Sequence, residues 1–275
     1  MTAIATTEGV IAPTPARRKA RGSDRGRRPL LVVLQVLIVA VLLTAWEVGS
    51  SAGWISSFLF SSPSGIASVL SNAAASGALW TDIGTTAYET VLGFAIGAIG
   101  GSVLGLALWY SRFVADLSAP FVAAIGSIPV LSIAPIMIIW FGTGVTSKIV
   151  IVAFSCIIVA LTNSYRGAQR ADRDLLNLMR SFGASKSQAF LKVVVPGAMP
   201  WVVNGLKLNV GFAIIGAIVG EYISSQAGIG HMIVIGSGSF QMNVVLAGVV
   251  VVMAMVIVFS LIVGLLERTI LHWER

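Results

Sequence analysis

The chain is short of charge, cysteine and histidine, and each shortage excludes something. Only 11% of its 275 residues are charged, against roughly a quarter in an ordinary soluble domain. The single cysteine, Cys156, lies in an apolar run with no partner in the chain, so a disulfide framework and a thiolate metal set are excluded. The two histidines, His231 and His272, are separated by a long apolar run, which argues against a metal site. No Gly-x-x-x-x-Gly-Lys-Ser/Thr run occurs, so the chain has no recognisable ATP site. His-Glu-x-x-His and Gly-x-Ser-x-Gly are also missing, and no paired intramembrane carboxylates stand out, so nothing points to catalysis by the chain itself.

Apolar sequence is abundant. Hydrophobic residues make up 56% of the chain and the mean hydropathy is +0.92, which marks an all-α integral membrane protein. A net charge of +7 in a soluble chain would suggest nucleic acid. Here Arg17, Arg18, Lys19, Arg21, Arg25, Arg27 and Arg28 all precede the first apolar run, and six more basic residues lie between Arg166 and Lys192. That is the positive-inside pattern, which places both segments in the cytoplasm and leaves no nucleic-acid role. Residues 1–29 are expected to form a disordered basic tail, with residues 30–275 as the membrane domain. A cleaved signal is the alternative for residues 17–46, but the apolar stretch is long for one and lacks a cleavage site, favouring a retained helix.

Six segments supply the ~20 apolar residues needed to cross the hydrocarbon: 30–49, 84–109, 117–140, 147–164, 200–222 and 243–266. Starting inside, this order returns both termini, the Ser111-Arg112 turn and a loop at 165–196 to the cytoplasm, the sides that carry Arg and Lys. Outside, Trp54 and Trp80 suit the headgroup level, and residues 223–242 suit a short re-entrant or interfacial helix.

Within the spans, Gly93, Gly97, Gly101 and Gly105 recur every four residues, a stripe that permits close helix approach within one subunit or between two. The third span contains Gly126, Ser127, Pro129, Ser132 and Pro135. Each internal proline removes a donor and frees carbonyls, which either line a translocation path or mark packing kinks. Glu221, near the outer end of the fifth span, must pair, snorkel or line the path, with a hydrogen bond to the following loop or a gating role as its two readings. Glu89 and Glu47 receive no specific task. The spans hold almost no Lys or Arg, so a path formed by Ser127, Ser132, Asn204, Asn209 and backbone groups suits a small anion or a neutral heterocycle.

The cytoplasmic loop is patterned as two short helices. Asp174 to Arg180 can coil with Leu175, Leu178 and Met179 on one side, Gly183 can end that helix, and Ser185 can cap a second one that stops before Pro196. The result is a compact knob rather than a floppy loop. In this loop Gly183, Val193, Val195 and Pro196 stand at the spacings of a hallmark that reads Glu-Ala-Ala, three residues, Gly, nine residues, Ile-x-Leu-Pro, with Asn177-Leu178-Met179 in place of Glu-Ala-Ala. With these residues the chain resembles the permease subunits of bacterial binding-protein-dependent ABC importers. The likeness extends over 60–273, through Ser62-Pro63-Ser64, Ile128-Pro129, Trp140-Phe141-Gly142-Thr143-Gly144, Gly220-Glu221-Tyr222, Gly228-Ile229-Gly230, Leu266-Glu267-Arg268 and Trp273. It is closest in kind to the nitrate, sulfonate and taurine branch, which also serves phthalate and pyrimidine precursors.

The resemblance implies a six-span permease of the bacterial inner membrane with both termini cytoplasmic. Its partners would be a second permease copy, two cytoplasmic ATPase subunits that hold ATP and magnesium, and an extracytoplasmic solute-binding protein. The permease itself would bind no cofactor. Asp174, Asn177, Leu178, Met179, Gly183, Ala184, Val193 and Pro196 fall in the family's ATPase-coupling position, while the missing acid at 177 removes any salt bridge that the usual Glu would make. An ion-coupled secondary transporter is the rival from another class, but it commonly carries an internal repeat, and none is evident here.

Overall fold

A computed structural model describes residues 24–270, and it is helical throughout apart from short connections. Helix α1 (Asp24–Ser51) starts six residues before the expected first span, so 24–29 are helical rather than part of a loose tail. The rest of that tail and Trp273 lie outside the described residues. The extracytoplasmic turns α2 (Ser57–Phe60) and α3 (Pro63–Ala75) follow. Ser62 caps α3 by accepting from the Gly65 N–H, and Pro63 occupies the first helical position, where its missing donor costs nothing. Glu47 of α1 accepts from the Ser64 N–H and hydroxyl at 2.9 and 2.7 Å, fastening the first span to that turn.

Helix α4 (Ala78–Ala107) ends in a single 3-10 turn over Leu108–Tyr110, and α5 (Arg112–Gly126) and α6 (Val130–Phe141) come next. The sequence suggests one kinked span over 117–140, but α5 and α6 meet at 93°. The reason is local. Pro129 has no N–H, sits extended at ψ 132°, and forces the chain out of the helix after the Ser127 cap. Fifteen and twelve residues rise only about 22 and 18 Å, so neither half crosses the hydrocarbon alone and the pair counts as one broken span. Pro135 stays inside α6 without breaking it.

Helix α7 (Val145–Gln169) is followed by the cytoplasmic helices α8 (Arg173–Ser181) and α9 (Lys186–Ala189), then α10 (Val195–Ser224). The second loop helix was expected to stop before Pro196, yet 186–224 form one continuous rod. A wide π turn over Phe190–Val194 opens the hydrogen-bond ladder where Pro196 lacks a donor and where its ring would crowd the Lys192 carbonyl. The short α11 (Ile229–Gly238) is the extracytoplasmic helix expected within 223–242, and α12 (Met242–Ile270) completes the chain. Among the described residues, five helices are long and apolar enough to span, or six with the broken pair.

The core is the face-to-face packing of α4, α7 and α10. Val152, Cys156, Ala213 and Ala217 are fully enclosed, and Phe94 and Phe259, edge-to-face with each other at 5.0 Å, pack against them. The glycine stripe lies in the α4–α7 seam within the subunit. A Cβ at Gly93 would meet the Ile149 carbonyl oxygen at 2.7 Å, one at Gly97 the Cys156 Cβ at 2.8 Å, and one at Gly101 the Ala160 Cβ at 2.8 Å. At Gly105 it would meet the Leu161 carbonyl carbon at 2.9 Å. All four positions are buried, and no side chain larger than hydrogen fits there. Helix α1 is by contrast sheathed in exposed Leu, Val and Ile, as a helix facing lipid must be.

Candidate functional site

Three regions hold the residues singled out above, and they lie at different levels of the bundle. The first is the knob. Asp172 caps α8 by accepting from the Asp174 and Leu175 N–H groups at 2.8 and 3.3 Å. Its far end closes with Gly183 at φ +74°, while the Ala184 N–H reaches the Met179 carbonyl at 2.9 Å. Ser185 and Gln188 form a reciprocal capping box on α9. The apolar residues of α8 divide differently from the single stripe expected. Leu176 packs inward against Ala168, Ala171, Val194 and Phe190, whereas Leu175 and Leu178 stay exposed. Phe182, at the turn, is 81% exposed. Asp174, Asn177, Gly183 and Pro196 face solvent, Met179, Ala184 and Val193 are half-buried, and Ala189 and Val194 are buried.

The sequence reading missed what fastens the knob. The Lys186 ammonium donates to the Tyr110 carbonyl at 2.6 Å and lies 5.8 and 5.7 Å from the Trp109 and Tyr110 ring centres. Phe190 tilts against both rings, with centroids at 5.6 and 4.7 Å. Arg170 stacks over Trp201 at 4.4 Å, and Gly167 makes room for that indole. The signal was present as Trp109-Tyr110 beside the short basic turn, but their partner lies far along the chain.

The second region is a groove of about 480 Å³ where α5 and α6 meet α7 and α10. Ser127 and Pro129 line it, together with Phe154, Ser155, Phe212 and Ile215. No charged side chain lines it. The Ser127 hydroxyl donates to the Ala124 carbonyl and that of Ser155 to the Ile151 carbonyl, so both satisfy their own helices. Ser132 and Pro135 are exposed on α6 but do not line the groove. Asn209 is fully buried between helices, with the Cys156 thiol 3.8 Å from its backbone carbonyl, and does not face the groove.

The third region surrounds Glu221, which also lies away from the groove. Its carboxylate accepts from the Thr86 hydroxyl at 2.6 Å and from the Gly230 N–H at 2.7 Å. The Ile229 N–H donates to Thr86 Oγ1 at 2.9 Å and the Gly228 N–H to Asp82 at 2.8 Å. The first donors of α11 are therefore held by α4 and α10 side chains. Gly228 and Gly230 are glycine because a Cβ at either would press on Glu221, and Gly228 also needs φ +113°. Glu89, one turn on from Thr86 along α4, is 1% exposed, and its Oε2 has no hydrogen-bond partner among the described residues. Lys148 donates to the Thr143 carbonyl. Among the described residues no group of three or more His, Cys, Asp or Glu is arranged to hold a metal.

Residues 93–272 match the family described as binding-protein-dependent transport system inner membrane component. The chain is 32% identical to the putative aliphatic sulfonates transport permease protein SsuC of Escherichia coli, over 88% of this chain and 90% of that protein. It is 30% identical to the riboflavin transport system permease protein RibX of Chloroflexus aurantiacus, over 93% and 95%. The fold is shared with a chain of the inward-facing MetNI methionine ABC transporter, at TM-score 0.62 and 18% identity, covering 70% of this chain and 95% of that one.

Proposed function

Since the chain belongs to the binding-protein-dependent transport system inner membrane components, we propose that it is the permease of an ATP-driven importer that passes a small sulfonate-type organic anion from a solute-binding protein to the cytoplasm. The observation that carries this reading is the near end-to-end likeness to an aliphatic sulfonates permease. The permease is a multi-pass inner-membrane component, and ATP hydrolysis belongs to other subunits.

In this reading the groove beside Ser127 and Pro129 becomes part of the path when a second copy closes it. A wall of apolar groups and self-satisfied hydroxyls holds a solute weakly, so it can leave as readily as it enters. Selection of the anionic head would rest with the binding protein. The knob, with exposed Asp174, Asn177, Leu178 and Gly183, would dock on the ATPase and transmit its closure, an equilibrium between two conformations biased by nucleotide. Asn at 177 offers hydrogen bonds in place of an ionic contact, and exposed Leu178 and Phe182 supply apolar area.

A second reading, import of an aromatic heterocycle, is favoured by Phe154 and Phe212 in the groove and by the likeness to a riboflavin permease. One experiment separates the two readings. The reconstituted complex, with its binding protein, is tested for ATP hydrolysis against alkyl sulfonates, taurine, nitrate, phthalate, pyrimidine precursors and riboflavin. Stimulation by a sulfonate or taurine supports the first reading and stimulation by a heterocycle the second; a hydrolysing complex that answers to none refutes both.

A further inference from the structure

Among the described residues only two besides glycine take a positive φ, Ser61 at +56° and Phe240 at +55°. Ser61 closes α2 and, with ψ −158°, occupies a region nearly reserved for glycine. Both backbones are pinned. The Ser61 N–H donates to the Ser57 carbonyl at 2.9 Å, its carbonyl accepts from the Ser50 hydroxyl at 3.1 Å, and the Phe240 N–H donates to the Ser237 carbonyl at 3.1 Å.

The two residues line one extracytoplasmic chamber of about 430 Å³, between α2 with the start of α3 and the turn from α11 into α12. Ser57, Ser62, Gln241 and Asn243 make its wall polar, and no charged side chain lines it. A recess of about 190 Å³ adjoins it, sharing Phe58, Phe240 and Met242 and lined otherwise by Leu59, Gly236, Ser237 and Val245. The site is therefore divided into a polar part and an apolar part, with the stacked rings of Phe58 and Phe240, 6.5 Å apart, common to both.

The polar part holds unspent donors. Ser61 is 4% exposed, yet its hydroxyl bonds to no described residue, whereas the Ser62 hydroxyl caps Gly65 and that of Ser57 pairs with Ser50. Ser61 Oγ lies 3.3 Å from where a Cβ on Gly65 would stand, and Gly65 lines the same chamber. The Val244 and Val245 N–H groups turn back to the Gln241 carbonyl at 3.0 and 3.2 Å, but those of Met242 and Asn243 have no acceptor among the described residues and open a 29-residue helix. An enclosed hydroxyl proton beside the positive end of a long helix suits an oxyanion. Glu47 lines neither part, since Ser64 takes both its oxygens.

We propose that this chamber receives an alkyl sulfonate at the outer face, its oxygens accepting from the Ser61 hydroxyl and the first N–H groups of α12 and its alkyl chain lying against Phe58 and Phe240 in the recess. The identity of the solute rests on the transport reading above.

The test uses the full chain in phospholipid nanodiscs, without ATPase or binding protein, and reads dissociation constants for butanesulfonate by saturation-transfer NMR. Glycine is favoured at both strained positions, so Ser61→Gly and Phe240→Gly should each keep the unfolding midpoint within about 2 °C of wild type or raise it. Ser61→Gly should weaken butanesulfonate binding by about tenfold or more, and Phe240→Gly should weaken it several-fold. Methanesulfonate, which has no chain for the recess, should bind wild type at least about tenfold more weakly. No binding to wild type, or constants unchanged in both variants, overturns the proposal. Binding that appears only when the phospholipid is exchanged for a phosphate-free amphipol assigns the chamber to a lipid phosphate and overturns it as well. If sulfonates stimulate ATP hydrolysis by the complex but none binds here, the transport reading stands and this site alone falls.

Discussion

Two adjacent glycines of α4 provide a controlled test of the seam against α7. Gly101 faces α7, and a Cβ there would lie 2.8 Å from the Ala160 Cβ and press on the Ile157 carbonyl oxygen, whereas a Cβ at Gly100 meets nothing within 4 Å. Carbon atoms rest at about 3.5–4.0 Å, so Gly101→Ala must part the helices by roughly 1 Å, a gap that forfeits a quarter to a half of each dispersion contact along the seam. Overpacking of this kind costs about 1–3 kcal/mol. At Gly100 the same methyl only improves helix propensity, by up to about 1 kcal/mol. The two single-methyl variants should therefore differ by about 1–4 kcal/mol, at least ~2 °C in unfolding midpoint for a chain of this size. The midpoint is read from tryptophan fluorescence of the purified chain on heating in a mild detergent. Equal midpoints, or a lower one for Gly100→Ala, would refute the reasoning.

Two further outcomes concern the knob. Gly183→Ala places a Cβ at φ +74°, which costs about 1–2 kcal/mol for an L-residue; the chain should insert normally while solute-stimulated ATP turnover of the complex falls several-fold, and undiminished turnover would count against a docking role. Lys186→Met removes the bond to the Tyr110 carbonyl and the contact with two rings, together worth about 1–2 kcal/mol. Limited proteolysis of the loop 172–192 should then speed up several-fold, and an unchanged rate would show that the clamp does not hold the knob.

Local chemistry made parts of this architecture legible in the sequence. Gly183 and Ser185 end and start helices where their backbone needs put them, and hydropathy located the spans to within several residues. The Gly126-to-Pro129 stretch announced a disturbance but not a 93° corner, because one proline in a helix kinks it and only its combination with the Ser127 cap stops it. Pro196 misled in the opposite sense, since a π turn absorbs it. Leu176 rather than Leu175 faces inward on α8, a choice made by Ala168 and Val194 on other helices. The partners of Glu221 had no local mark at all: it looks like an isolated acid until Thr86 of α4 and the Gly230 N–H of α11 are brought against it. The four-residue glycine period was plain, but its partner became known only from the α7 carbonyls opposite it.

The unbroken rod from Lys186 to Ser224 makes the knob and Glu221 two ends of one lever. At about 1.5 Å per residue its 39 residues reach some 58 Å, so a tilt of ~5° about the knob carries the far end through about 5 Å. The seam of α4 against α7 is too close-fitting to shear by that much, which leaves the corner between α5 and α6 and the fastening of α11 as the places that must yield when the lever moves.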